Sequence, residues 1–345
     1  KEVFFLNIGQ PDIPSPIEFF EGLNKYNSNV VEYEKSQGND QLRSAWTNKL
    51  NKSLKINLNE HQMIITIGGS EAINFLFLSI CDPGDEVIVL DPTYANYIGF
   101  AACCNIKLKP LLCDISSGFS LPPSSLIEQQ ITPNTKAILL CNPNNPTGAV
   151  YDIEDLKTLL DICERYNLFF LLDEVYREFV YDNRQPCSIL NIAPNNNRVV
   201  VIDSLSKHYS LCGARIGCVI SSNEELIFKI TNLTQARLAA PTIEQYAATF
   251  MLNHIKPEYF EQIKHEYELR RDVVYDILSN IKNINIYKPA GAFYFVIGFP
   301  IKNADEFVSF MLTDFSYNNK TTFVAPGSGF YLNQHVGQNQ IRIAY

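Results

Sequence analysis

The sequence predicts an α/β protein: a mostly parallel sheet flanked by helices, with a smaller α+β unit beside it. Three observations carry this. Short apolar runs at Val87–Leu90, Lys136–Cys141, Leu168–Leu172 and Arg198–Asp203 have the length and β-branched or aromatic content of buried strands. Between them lie stretches with helical character, such as Ser70–Ile80 and Asp152–Leu160. Finally, 345 residues at 46% apolar content can bury a large core divided between two domains.

In chain order, Asn7-Ile-Gly-Gln-Pro-Asp12 comes first, and its glycine and proline mark an irregular segment that composition alone reads as a turn. Glu32-Tyr-Glu-Lys-Ser-Gln-Gly38 leads into a helix from Asn39 to about Leu50, and Tyr33 alone reads as packing. Met63–Ile73 reads as strand, glycine turn and helix start. The helix Ser70–Ile80 is apolar nearly all round and so expected to be buried. Its free N–H groups and positive dipole end suit a phosphate, and Gly68 and Gly69 let the backbone approach one. Ser70 also serves there as a helix cap. Gly-x-Gly-x-x-Gly is absent, which excludes a dinucleotide fingerprint.

Asp82-Pro-Gly-Asp-Glu86 is a turn, and the strand after it ends in Asp91-Pro-Thr-Tyr94, where Tyr94 reads as a core aromatic. The strand Lys136–Cys141 ends in Asn142-Pro-Asn-Asn-Pro-Thr-Gly148, a turn by composition. With the helix Asp152–Leu160 it forms a βα unit, whose sites lie at the carboxyl ends of strands. Asn167-Leu-Phe-Phe-Leu-Leu-Asp-Glu-Val-Tyr176 places Asp173 at the end of a buried strand, where a carboxylate is costly unless paired.

Ser204-Leu-Ser-Lys-His-Tyr-Ser-Leu-Cys-Gly-Ala-Arg-Ile-Gly217 follows the next strand. A lysine is ordinarily a solvated surface charge. Here Ser204, Ser206 and Arg215 are the donors that a phosphate needs, and Lys207 stands among them. An amine beside a phosphate site points to a Schiff base with a phosphorylated aldehyde, which is pyridoxal phosphate. A protonated pyridine nitrogen is then the natural partner for Asp173.

Ile216–Ile220 returns as a strand, and Pro257–Ile281 reads as a long helix opening the second domain. Lys288–Val296 is expected as a strand, and Thr322–Phe330 as strand then loop. In the alternating strand Gln340–Ala344, Arg342 faces opposite to Ile341 and Ile343, and an inward arginine there needs an anion.

Ser-x-Ser-Lys followed by Gly-x-Arg-x-Gly resembles the cofactor-attachment signature of the class I/II pyridoxal-phosphate-dependent aminotransferases, the aspartate-aminotransferase-like group of fold type I. The resemblance implies a mostly parallel seven-stranded sheet between helices. It also implies a cofactor domain at 33–255 and a discontinuous small domain at 1–32 and 256–345. It assigns Lys207 to the aldehyde and Asp173 to the ring nitrogen. Gly69, Ser70, Ser204, Ser206 and Arg215 go to the phosphate, with Tyr33 reaching across a homodimer to the partner's phosphate. Tyr94 stacks on the ring, and Asn145 and Tyr176 share its phenolic oxygen. Gly9, Asn145 and Arg342 meet the substrate, Arg342 gripping its α-carboxylate. The chain departs from the family by lacking a proline at Lys35 or Ser36. A short leading segment and a helix beyond Tyr345 are also implied. The expected reaction moves an amino group from an L-amino acid, with aspartate as a candidate donor, to 2-oxoglutarate. A β-lyase or decarboxylase of the same fold is the alternative.

Composition narrows the field further. No run approaches 18 apolar residues, and the start carries no basic-then-apolar leader, so neither membrane span nor signal peptide is expected. Nine cysteines without Cys-x-x-Cys spacing fit reduced thiols in a cytoplasmic protein rather than zinc. A net charge of −9 argues against nucleic acid while permitting a local anion site. Ser204-Leu-Ser-Lys207 also matches the Ser-x-x-Lys of acyl hydrolases, but no Lys-Thr-Gly follows, and Asp173 and Arg342 stay unexplained. A regulator that only binds the cofactor lacks the DNA-binding module it would need.

Overall fold

The computed structural model describes residues 1–345. The strands in order are β1 (Glu2–Phe5), β2 (Met63–Thr66), β3 (Glu86–Asp91), β4 (Lys107–Leu112), β5 (Thr135–Cys141), β6 (Phe169–Asp173), β7 (Val199–Ser204), β8 (Gly217–Ser221), β9 (Asn285–Ile286), β10 (Tyr294–Gly298), β11 (Lys320–Phe323), β12 (Ala325–Pro326) and β13 (Gln340–Ala344). Seven form one sheet in the order β2-β8-β7-β6-β5-β3-β4, in which only β8 runs against the rest. This is the expected mostly parallel seven-stranded sheet.

Strand periodicity explains why both faces of this sheet are dry. Ile88, Leu90, Ile138, Leu140, Phe170, Leu172, Val199 and Val201 point into one core. Their alternating neighbours Val87, Val89, Ala137, Leu139, Leu171, Val200 and Ile202 point into the other. Trp46 and Leu50 of the helix Asp40–Leu54 cover the first face, while the helices Gly68–Ile80 and Glu224–Arg237 cover the second. β9, β10, β12 and β13 build a four-stranded antiparallel sheet, and β1 pairs with β11 in parallel. Ile341 and Ile343 enter the smaller core beneath it. The helix Ile17–Lys25 lies against Thr242–His254, where a Cβ on Gly22 would meet the Ala247 Cα at 2.8 Å. No helix is long and apolar enough to cross a membrane, and all nine cysteines are free thiols.

Three expectations change. The helix after β2 begins at Gly68 rather than Ser70, and it is Glu71 Oε2 that accepts the free Ile67 N–H at 2.8 Å. Ser70 therefore is not the cap, and its side chain lines the cleft described below. The first long helix continues to Leu54 and stops where Lys55 turns left-handed. Lys288–Phe293 is loop, and the strand starts only at Tyr294. Pro289 has no N–H to offer a ladder, Ala292 sits at φ 53°, and the Ala290 and Gly291 N–H groups bond Gly148 O instead.

The start of β8 packs directly on the start of the helix Gly68–Ile80. A Cβ on Gly217 would lie 2.5 Å from the Gly68 carbonyl carbon and 2.8 Å from Gly69 N, backbone on backbone. Gly217→Ala is therefore expected to lower stability by about 1–3 kcal/mol, read as a shifted urea midpoint followed by circular dichroism. An unchanged midpoint contradicts the packing argument.

Candidate active site

The carboxyl ends of β5, β6 and β7 and the start of the helix Gly68–Ile80 meet at one edge of the sheet, the place where α/β folds bind ligands. They enclose a cleft of about 610 Å³ including its open mouth, lined by Gly69, Ser70, Tyr94, Asn145, Asp173, Tyr176, Ser204, Ser206, Lys207 and Arg215. The structure thus gathers ten sequence-predicted residues around one space. A wider groove of about 1250 Å³ lies at the opposite end of the strands between Arg198, Glu224 and Lys229. None of the predicted residues reaches it, so the chemistry belongs to the smaller cleft.

Asp173 ends β6 and is buried. Tyr97 donates to its Oδ2 at 2.6 Å and the Val175 N–H to its Oδ1 at 3.3 Å. Burial pushes the carboxyl up to about 6, and those two hydrogen bonds pull the other way without cancelling it. Lys207 stands on the short helix Leu205–His208, which Ser204 starts by accepting the Ser206 N–H. Its Nζ donates to Gly9 O at 2.6 Å and lies 3.9 Å from Cys212 Sγ. Burial lowers the pKa of the amine, with Arg342 adding to the effect while Cys212 and Asp173 oppose it. A lysine held closer to neutrality is a better nucleophile.

The donors for an anion cluster at one end. Arg215 takes φ 54° and fixes its fork through Cys212 O at 2.9 Å and Ile67 O at 3.5 Å. A Cβ on Gly68 would sit 2.6 Å from that guanidinium, so only glycine lets helix start and arginine share the space. At Gly69 a Cβ would meet nothing nearer than 3.6 Å, so its own walls do not demand glycine there. Ser204 Oγ bonds Ser206 Oγ at 2.9 Å and Ile216 O at 3.1 Å. Its hydroxyl is thus engaged by these partners and not by Lys207. Two hydroxyls, a guanidinium and free helix N–H groups fit a phosphate, and an amine facing a buried acid fits the ring that carries it.

The other end carries an arginine. Arg342 lies between the rings of Phe330 and Tyr294, 4.6 and 4.8 Å from their centroids. Its Nη1 donates to Asn145 Oδ1 at 3.2 Å and its Nη2 to Asn7 O at 2.6 Å, while its buried Nε has no partner. Asn145 Nδ2 donates in turn to Tyr176 OH at 3.4 Å, and Tyr176 OH bonds Tyr294 OH at 2.7 Å. Gly9 is glycine because a Cβ would overlap the Tyr294 hydroxyl. Tyr94 sets its ring edge against Tyr97 at 5.3 Å and takes a bond from Asn96 at 2.7 Å. Tyr33 is the one predicted residue outside this assembly, 81% exposed on the surface.

Sequence reasoning missed Tyr97, Tyr294, Cys141 and Cys212. Tyr97 lies one helical turn beyond Tyr94, a spacing that could have flagged it. Nothing local marks Tyr294 or the two thiols.

The chain matches the family described as aminotransferase class I and II over residues 1–345. It is 30% identical to an aspartate aminotransferase of Pyrococcus horikoshii, covering 100% of this chain and 86% of that protein. It is 33% identical to a probable N-acetyl-LL-diaminopimelate aminotransferase of Bacillus subtilis, covering 100% and 85%. Among solved structures, an aspartate aminotransferase of Thermotoga maritima superposes with a TM-score of 0.90 at 26% identity, covering 100% of this chain and 88% of that one. An alanine aminotransferase from Pyrococcus furiosus does so with 0.90 at 29%, covering 100% and 88%. With its sheet order and the composition of its cleft already in view, the chain belongs to the class I and II aminotransferases, a family that works through pyridoxal phosphate, and it is an aminotransferase of fold type I.

Proposed function

We propose that this aminotransferase is a homodimer that holds pyridoxal 5′-phosphate in the cleft between Asp173 and Lys207 and passes amino groups from an L-amino acid to 2-oxoglutarate. One observation carries the reading: a buried acid and an amine whose pKa burial lowers open on the same cavity, with phosphate donors at one end and the Arg342 fork bonded to Asn145 at the other. When bound, the cofactor supplies an aldehyde that exchanges amines and a ring that draws electrons from the α-carbon. Gly69, Ser70, Ser204, Ser206 and Arg215 hold its phosphate, Tyr94 its ring face, and Asn145 and Tyr176 its phenolic oxygen. Asp173 keeps a proton on the ring nitrogen. Lys207 Nζ would take the donor's α-proton and return it as an acid. The Arg342 fork fixes the donor's α-carboxylate.

In this reading the unit 33–255 binds the cofactor, while 1–32 with 256–345 supplies Gly9 and Arg342. Exposed Val30, Val31, Tyr33 and Leu238 support a second copy of the chain as the partner, with Tyr33 completing the neighbour's phosphate site. Free thiols support a cytoplasmic setting. The names of relatives make aspartate the first donor to assay against 2-oxoglutarate.

Lys207→Ala is expected to abolish the long-wavelength absorbance gained on mixing with pyridoxal 5′-phosphate and to cut turnover about 10³-fold. Retention of either refutes the assignment. Mixing Lys207→Ala chains with Tyr33→Ala chains should restore activity, because each hybrid dimer then holds one site intact in both residues. Two inactive variants that stay inactive together, while sedimentation shows hybrids, rule out the trans role of Tyr33.

The acid gives a pH test. Asp173 binds its proton more tightly folded than unfolded, so its ionisation favours unfolding between pH 3.8 and about 6. At 1.36 kcal/mol per pKa unit the full cost, reached above pH 6, is about 3 kcal/mol. Cofactor-free Asp173→Asn should therefore exceed the cofactor-free parent in stability by up to that amount at pH 7.5, with the gap narrowing towards pH 5. Urea titrations across that range check it, and a gap independent of pH contradicts it.

A further inference from the structure

The segment Asn7–Asp12 lies across the mouth of the cleft, and both cations the reaction needs spend a hydrogen bond on its backbone. Lys207 Nζ donates to Gly9 O and Arg342 Nη2 to Asn7 O, each at 2.6 Å. Tyr294 OH supports Gly9 O from the side at 3.5 Å. These are charged donors on neutral carbonyls, weaker pairings than the same groups make with a carboxylate. The arrangement is also incomplete: Asn7 Oδ1 and Arg342 Nε are buried without partners.

The segment is tied at both ends and little between. Before it, the Leu6 N–H bonds Phe323 O and Leu6 O accepts the Ala344 N–H, both at 2.8 Å. After it, Arg270 Nη1 pairs with Asp12 Oδ1 at 2.7 Å, while Arg270 Nε is held by Glu266 Oε1 at 2.8 Å. Tyr259 OH then bonds Pro14 O at 3.3 Å and Ser15 Oγ bonds Ser210 O at 2.8 Å. Buried Pro11 packs just before Asp12, and Asp12–Arg270 is the segment's only side chain-to-side chain tie. It reaches from the irregular segment to the helix Glu258–Leu278.

We propose that Asp12 and Arg270 are positioning residues whose ion pair seats residues 7–12 over the cleft, so that the Asn7 and Gly9 carbonyls hold Arg342 and Lys207 until ligands displace them. The proposal rests on the reading of the cleft given above. Cofactor loading must take Lys207 from Gly9, and a donor carboxylate must take Arg342 from Asn7. Loosening the latch makes both exchanges easier. Because the Asp12 side chain is 68% exposed and that of Arg270 31%, the pair contributes little to global stability, and its loss acts locally.

Hydrogen exchange of the cofactor-free protein tests the latch directly. Asp12→Asn and Arg270→Gln should raise exchange in peptides covering residues 7–12 by about two- to fivefold, the range of an exposed pair, and leave the sheet unchanged. In stopped-flow mixing with pyridoxal 5′-phosphate, uptake should accelerate by a similar factor, whereas simple structural damage would slow it. Arg270→Lys keeps the charge and should stay near the parent in both measurements. Unchanged exchange at 7–12, exchange raised evenly across the protein, or slower uptake each overturn the proposal. If the parent protein takes up no pyridoxal phosphate, the reading of the cleft fails, while the exchange experiment still decides the latch.

Discussion

The structure turns on the cost of burying an acid and an amine in one cleft without letting them pair. Asp173 and Lys207 end adjacent elements of the same sheet edge, yet each is met by neutral groups, Tyr97 OH and Gly9 O. Desolvation moves both towards their uncharged forms, the acid upward and the amine downward. A direct salt bridge would relieve that cost and remove the reactivity. Kept apart, the acid remains available to a ring cation and the amine to a carbonyl, so the penalty becomes affinity for a molecule that carries both.

A second set of buried charges holds the two strand ends in register. Glu174 follows Asp173 and accepts Ser188 Oγ at 2.9 Å and the Ile189 N–H at 3.0 Å. Arg177 follows Tyr176 and bridges Glu174 Oε2 at 3.2 Å to Asp203 Oδ2 at 3.0 Å. Asp203 Oδ1 in turn takes the Ser204 N–H at 2.7 Å, the first residue of the lysine's own turn. Replacing such a lattice with apolar residues is often neutral for stability, so its value here is geometric. It locks the end of β6 to the end of β7, the spacing on which the acid and the amine depend.

Legibility followed the range of the interaction. Buried strands declared themselves through apolar runs of four or five residues, and site residues at their ends could be read from the residue types that follow. β4 went unnoticed because Lys-Leu-Lys-Pro-Leu-Leu carries Pro110 and charge, which suit an edge strand and disguise a strand. Tyr97 meets Asp173 across 76 residues, Tyr294 meets Tyr176 across 118, and Gly9 meets Lys207 across 198. Such pairs depend on how layers stack, and no local period encodes that. The misplaced start of β10 has the same origin: an apolar sequence looked extended, while Gly148 had claimed its N–H groups.

The function proposed above has these residues read the part of a substrate that every amino acid shares. In it, the Arg342 fork takes the carboxylate and Lys207 the α-carbon's proton. Proteins named for aspartate, alanine and N-acetyl-LL-diaminopimelate match this chain over its whole length, with 26–33% identity. A shared reading of backbone atoms makes that spread intelligible, because side-chain choice can change without disturbing the acid, the amine or the fork.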